Sequence, residues 1–183
     1  MVFEYGAPTD RDTRTQRERD TYAFLDRLGI EYARVDHAPA DTMEICRGLE
    51  EVLGAHICKN LFLCNRQQTD FYLLMMPGDK PFRTKELSSQ IGSSRLSFAT
   101  PEHMEQYLGL LPGSVSVLGL RNDNEGRVRL LIDEDLLSNE WIGCHPCVNT
   151  TTVRLRTEDL LALFLPTVKH DYSRVRLLEG ESP

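Results

Sequence analysis

Ile57-Cys58-Lys59-Asn60-Leu61-Phe62-Leu63-Cys64, a polar interval at residues 66–70, and then Phe71-Tyr72-Leu73-Leu74-Met75-Met76 form the stretch on which the fold turns. Two apolar runs of strand length around a turn-rich spacer predict a β-hairpin. Pro77-Gly78-Asp79 punctuates the second strand. Toward the N-terminus, residues 1–10 read as a loose lead-in. Tyr22, Phe24, Leu25 and Leu28 then mark a helix over 11–28, closed by Gly29. Residues 30–35 follow as a half-buried strand. Thr42 reads as the N-cap of a helix that runs to Leu53 and stops at Gly54. Beyond the hairpin, short helices are expected at 84–91, 101–108 and 157–164, and strands at 114–118, 128–132, 151–155 and 175–178. Strands and helices alternate irregularly, so the class is α/β (mixed α+β) with a mixed sheet.

The chain has 183 residues, enough for one domain over 11–183 with its own core. No apolar run approaches membrane length, and the first residues lack the basic and apolar regions of a signal peptide, so the expected location is cytoplasmic. A net charge of −7 argues against a protein held to DNA or RNA by bulk electrostatics, but leaves room for a local grip on one end of an RNA. Arg11, Arg14 and Arg17 share a helix surface, yet the interleaved Asp12, Glu18 and Asp20 make a solvated face the better account.

Several residues carry candidate chemistry. Lys59 interrupts an apolar strand: it either faces solvent by alternation or points its ammonium into a pocket, toward a phosphate or a carbonyl. Asn60 is a possible donor to ribose or acyl group, on the opposite strand face. The turn Pro112-Gly113-Ser114 reads either as a plain turn or as a set of backbone N–H donors, since glycine permits the required angles. His145, ahead of Pro146, either caps its own loop or serves as a general base. Cys144-His145-Pro146-Cys147 spells a C-x-x-C, but it precedes a strand rather than opening a helix, unlike a redox site. As a zinc half-site it lacks a second pair, because Cys58 and Cys64 lie apart in one strand. The five cysteines therefore read mostly as small hydrophobes, with no metal expected.

Five segments together resemble the YbaK/prolyl-tRNA editing superfamily: Lys59-Asn60-Leu61-Phe62-Leu63, Ser93-Ser94-Arg95-Leu96-Ser97-Phe98, Pro112-Gly113-Ser114-Val115-Ser116, Gly119-Leu120-Arg121-Asn122-Asp123 and His145-Pro146-Cys147-Val148-Asn149. They occur in the family's order, over roughly residues 15–178. The nearest branch resembles the free-standing PrdX or ProXp-ala type, which removes alanine from tRNA for proline. Many members carry Gly-x-x-x-Pro where this chain has Gly113 followed by Val117 in the proline's place.

The resemblance implies a mixed sheet wrapped by helices, and no cofactor. It also implies an aminoacyl-tRNA deacylase whose partners are the tRNA acceptor end and, as a further possibility, prolyl-tRNA synthetase. Lys59, Gly113, Ser114 and His145 become the expected catalytic set, with His145 shaping the acyl pocket rather than moving protons. Ile30, Val35, Asn60, Phe62, Val115, Ser116 and Asn149 become the expected substrate contacts. Alanyl-tRNA for proline ranks first as substrate, cysteinyl or seryl esters second. A non-catalytic tRNA-binding protein is the rival from another class.

Overall fold

The computed structural model describes residues 1–39 and 43–178. One mixed sheet runs in the order β1 (Phe3–Tyr5), β2 (Tyr32–Asp36), β8 (Thr151–Arg156), β7 (Trp141–Cys144), β3 (His56–Cys64), β4 (Phe71–Pro77), β6 (Val128–Asp133), β9 (Tyr172–Val175). A two-residue β5 (Ser97–Phe98) pairs with the far end of β3. The β3–β4 hairpin is antiparallel, from Cys58 opposite Pro77 to Cys64 opposite Phe71. The β7–β3, β4–β6 and β6–β9 pairings are parallel. Among the described residues no helix is long and apolar enough to cross a membrane.

Alternation along β3 decides what the sheet packs against. Cys58, Phe62 and Cys64 enter the main core, which α1 (Gln16–Arg27) and α4 (Pro101–Leu108) cover with Tyr22, Leu25, Met104 and Leu108. Leu61 and Leu63 point the other way, toward Leu87 of α3 (Thr84–Ile91). A third cluster joins Val35 of β2 to Leu49 and Leu53 of α2 (Met43–Leu53). The sheet is thus covered on both faces, as a mixed-sheet fold requires.

The helix starts show their chemistry. Thr15 accepts from the Glu18 amide and sets the start of α1, so the expected helix opens instead with a separate 3₁₀ turn, Arg11–Thr13. Thr100 caps α4 in the same way, with Pro101 in its first turn. Thr42 lies outside the described residues. The expected helix over 157–164 forms as α6 (Thr157–Asp159), a π-helical stretch Leu160–Phe164 and α7 (Leu165–Thr167).

Three local expectations are corrected. The presumed lead-in contributes β1, whose Phe3 pairs opposite Val35. Residues 114–118 are not a strand: the Ser116 hydroxyl accepts from the Leu118 amide and starts a 3₁₀ helix, Val117–Asn122. The last strand is β9, ahead of the expected 175–178. β5, the short helix Glu134–Leu137 and β7 were not anticipated. β7 carries Gly143 where a Cβ would come within 3.2 Å of the Ile57 side chain, so glycine permits the close β7–β3 approach.

Candidate active site

The β7–β3 ladder lasts only from His56 to Ile57, after which the two strands part. On that side β3 regains a neighbour only at Leu63, opposite Phe98 of β5. Residues 58–61 therefore have a strand partner on one side only among the described residues, through β4. A cleft of about 1220 Å³ opens at this parting, and Lys59, Asn60, Gly113, Val115 and His145 are among its lining residues. Residues far apart in sequence thus meet at one break in the sheet.

Lys59 is half-buried, and its Nζ donates to the Lys80 carbonyl at 3.3 Å. No carboxylate pairs with it among the described residues. A half-buried ammonium with a single neutral acceptor keeps most of its charge available to a ligand. Asn60, on the opposite strand face, donates to the Cys58 carbonyl at 3.2 Å, while its buried Oδ1 has no partner. Lys80, by contrast, is buried and clamped: its Nζ reaches Asp133 at 3.0 and 3.2 Å, Asp135 at 2.6 Å and the Leu177 carbonyl at 3.0 Å. Burial works against its charged form, but these two carboxylates outweigh it and raise its pKa.

The loop at Gly113 is a built turn. Gly113 has φ +85, a left-handed angle that favours glycine. Ser114 lies inside the turn, its hydroxyl donating to the Leu111 carbonyl at 2.7 Å and its N–H to the same oxygen at 3.1 Å. Ser114 is therefore buried and engaged, and offers neither a nucleophile nor a free donor. The N–H groups of Gly113 and Val115 have no partner among the described residues. Ser116 is fully buried, and its hydroxyl donates to the His145 carbonyl at 2.6 Å. It ties the two loops of the cleft together rather than facing a ligand. Asn149 sits behind the loop, with its Nδ2 3.5 Å from where a Cβ on Gly113 would lie.

His145 is oriented by Thr151. A carbonyl only accepts, so the 2.9 Å contact between Nδ1 and the Thr151 oxygen assigns the ring proton to Nδ1 and leaves the Nε2 lone pair open. Burial lowers the His145 pKa, opposed by the Thr151 carbonyl and reinforced by nearby His37, so the ring is neutral at physiological pH. His37 lies 6.1 Å away, centroid to centroid, and binds Thr152 Oγ1 at 2.9 Å. Thr151 is itself held from behind, since its hydroxyl donates to Asp36 at 2.8 Å. Hydrogen bonding to Arg14 is the main cause that brings the Asp36 pKa down to about 2.

Some expected residues lie elsewhere. Ile30 and Phe62 are buried in the main core and Val35 in the cluster under α2, so none of the three lines the cleft. The expectation followed their apolar character, which serves packing here. Arg14 is engaged by Asp36, Glu18 and Asp10, and Arg17 by Glu105. Burial raises the Cys144 thiol to about 12 and raises Cys147 as well, so both stay protonated at neutral pH. Among the described residues no three His, Cys, Asp or Glu side chains are grouped to hold a metal. Sequence reasoning missed His37, Thr151 and Lys80, whose roles depend on long-range contacts that leave no local pattern.

Comparison with known proteins places the chain in a family. The aminoacyl-tRNA editing domain model matches residues 37–163, from His37 past both loops of the cleft. The prolyl-tRNA editing protein ProX of Acetoanaerobium sticklandii is 36% identical over 138 residues, covering 75% of this chain and 84% of the relative. The prolyl-tRNA synthetase associated domain-containing protein 1 of Danio rerio is 32% identical, covering 80% of each chain. The crystal structure of a candidate trans-editing enzyme for prolyl-tRNA synthetase superposes with a TM-score of 0.67 at 19% identity. It spans 92% of this chain and all of its own, a likeness of fold. With a family model over most of its length and a relative at this identity, the chain belongs to the aminoacyl-tRNA editing domain family.

Proposed function

We propose that this protein hydrolyses the ester of alanine mischarged onto tRNA for proline, acting in trans to the synthetase. The coarser statement rests on the family: the chain is an editing enzyme, an aminoacyl-tRNA deacylase. The observation that carries the reading is the joint lining of one cleft by Lys59, Gly113, Val115 and His145. Its volume exceeds the ~300–1,000 Å³ usual for small-molecule pockets, which suits an amino acid still joined to its terminal nucleotide.

In this reading water adds to the ester carbonyl and gives up a proton, and the carbonyl oxygen becomes an oxyanion. As the carbonyl re-forms, the bond to the ribose oxygen breaks and that oxygen takes up a proton. The unpartnered N–H groups of Gly113 and Val115 serve the oxyanion, in place of the Ser114 N–H that the turn already uses. Lys59 supplies positive charge to the carbonyl or the terminal phosphate. His145 presents a neutral Nε2 that accepts a hydrogen bond and aligns the reacting group. Ser116 and Asn149 keep the two loops in register. Binding alone discriminates poorly against an amino acid smaller than the right one, so a separate site that admits alanine and excludes proline answers the need. The acceptor end is the proposed tRNA contact, and prolyl-tRNA synthetase the proposed protein partner.

Deacylation of a panel of labelled alanyl-, cysteinyl-, seryl- and prolyl-tRNAs tests the assignment. Alanyl-tRNA for proline should be cleared at least tenfold faster than the others. Preference for cysteine or serine would move the substrate, and no turnover of any ester would leave a tRNA-binding protein.

A further inference from the structure

Two aromatic rings stand on the same face of the sheet as Lys59. Side chains alternate along β3, and Leu61 and Leu63 join the cluster beneath α3, so Lys59 takes that face too. Phe98 lies directly opposite Leu63 in the β3–β5 pairing and shares the face. Its side chain is 62% exposed, and its ring meets Phe82 with centroids 6.1 Å apart at 65°. Phe82 is half-buried against the α3 cluster and follows Lys80, whose carbonyl accepts from Lys59 Nζ, by two residues. The pair is therefore linked to the cleft by two paths, the Lys80 segment and β3 itself, without lining it. From Lys59 to Leu63 the strand rises about 14 Å.

The charge near these rings is mostly positive and open; Glu86, in the first turn of α3, is engaged by the Leu178 amide. Arg66, Arg83, Lys85 and Arg95 are exposed and make no ion pair among the described residues. The Arg66 amide donates to Ser94 Oγ at 3.5 Å, which brings the turn after β3 against the residue before Arg95. Arg83 and Lys85 flank the start of α3, directly after Phe82. On a chain of net charge −7, four such cations beside the exposed Phe98 and its half-buried neighbour Phe82 form a local exception. Aromatic faces with flanking cations are how proteins hold unpaired nucleotides, because every base offers a face to stack on and every phosphate a negative charge.

We infer that Phe98, backed by Phe82, is a stacking platform for the bases of a single-stranded RNA 3′ end that precede the esterified nucleotide, with Arg66, Arg83, Lys85 and Arg95 attracting its phosphates. The inference rests on the deacylase reading of the cleft and extends it: the terminal nucleotide enters between β3 and β7, and the preceding bases lie outward toward β5.

The test uses an RNA hairpin with a single-stranded 3′ CCA end, carrying the fluorescent base 2-aminopurine at the penultimate position. Stacking on the wild-type protein should quench the probe. Phe98→Ala, at an exposed position that folding tolerates, should abolish the quench and weaken binding at least fivefold. Phe98→Trp should restore both. A hairpin trimmed to a blunt end should bind wild type and Phe98→Ala alike. An unquenched probe with wild type, or Phe98→Ala that quenches and binds as wild type does, would overturn the inference. Hydrolysis is read separately: quenching by a wild-type protein that clears no aminoacyl-tRNA upholds the platform and sinks the editing reading.

Discussion

Lys59 and Lys80 touch, one ammonium on the other's carbonyl, yet their surroundings differ in kind. Lys80 is enclosed by Asp133, Asp135 and the Leu177 carbonyl, so its charge is satisfied within the fold. Asp133 also accepts from the amides of Asp135 and Leu177, which makes the pair a junction of β6, α5 (Glu134–Leu137) and the segment after β9. Lys59 has one carbonyl and an open cleft. The difference separates a charge that organises structure from one that meets a single neutral acceptor at an open cleft, although both occur near strand ends of the same hairpin. It also orders the expected effects of mutation.

Lys80→Ala should break the comparison from the structural side. Removing one partner of a buried ion pair leaves Asp133 uncompensated, at a cost of about 3–5 kcal/mol. Urea unfolding should show a loss of that size, and a loss below about 1 kcal/mol would make the clamp incidental.

Ser116→Ala is next. It strips the His145 carbonyl of its donor and the Leu118 amide of its acceptor, for about 1–3 kcal/mol. Deacylation should fall more than stability alone explains, because the two loops of the cleft lose their tie. Saturating substrate with a normal rate constant would show that the loops hold register without it.

The Asp36 site sharpens the contrast, since this carboxylate, like Lys80, is satisfied internally. Its folded pKa of about 2 lies below the ordinary 3.8, so its contribution is whole above about pH 4 and is lost as pH falls toward 2. Asp36→Asn should therefore lower stability at pH 7 and converge on wild type near pH 2, by denaturant titration at both values. A pH-independent difference would assign the loss to packing.

The smallest effect is expected at Cys144 and Cys147. Both thiols are buried and protonated, so replacing the pair by serine should leave deacylation within about threefold of wild type in protein shown folded by circular dichroism. Abolished turnover would bring thiol chemistry back.

The hairpin, α3 and α4 were legible because each rests on a local signal: two apolar runs about a polar turn for the hairpin, and a glycine just past the end of each helix, Gly92 and Gly109. β1 and β7 were not. Phe3–Tyr5 is too short to show a period, and Trp141–Cys144 contains a glycine that makes sense only against Ile57. Lys59, Gly113 and His145 were legible through resemblance and do line one cleft. Ile30, Val35 and Phe62 were misjudged as pocket walls because apolar character does not distinguish a wall from a core. Ser114 was expected in the catalytic set and Ser116 as a substrate contact, yet both hydroxyls close loops.

The most direct measurement of the contrast between the two lysines is single-turnover hydrolysis of alanyl-tRNA beside a tRNA binding titration, for wild type, Lys59→Ala and Lys59→Arg. Lys59→Ala should lose hydrolysis by about 10²–10³-fold, comparable to the loss of an oxyanion donor, while tRNA affinity changes little and unfolding remains that of wild type. Lys59→Arg should fail to rescue, because the broad guanidinium does not take an ammonium's place in the cleft. Near-normal hydrolysis by Lys59→Ala would contradict the account and make Lys59 a surface charge like any other.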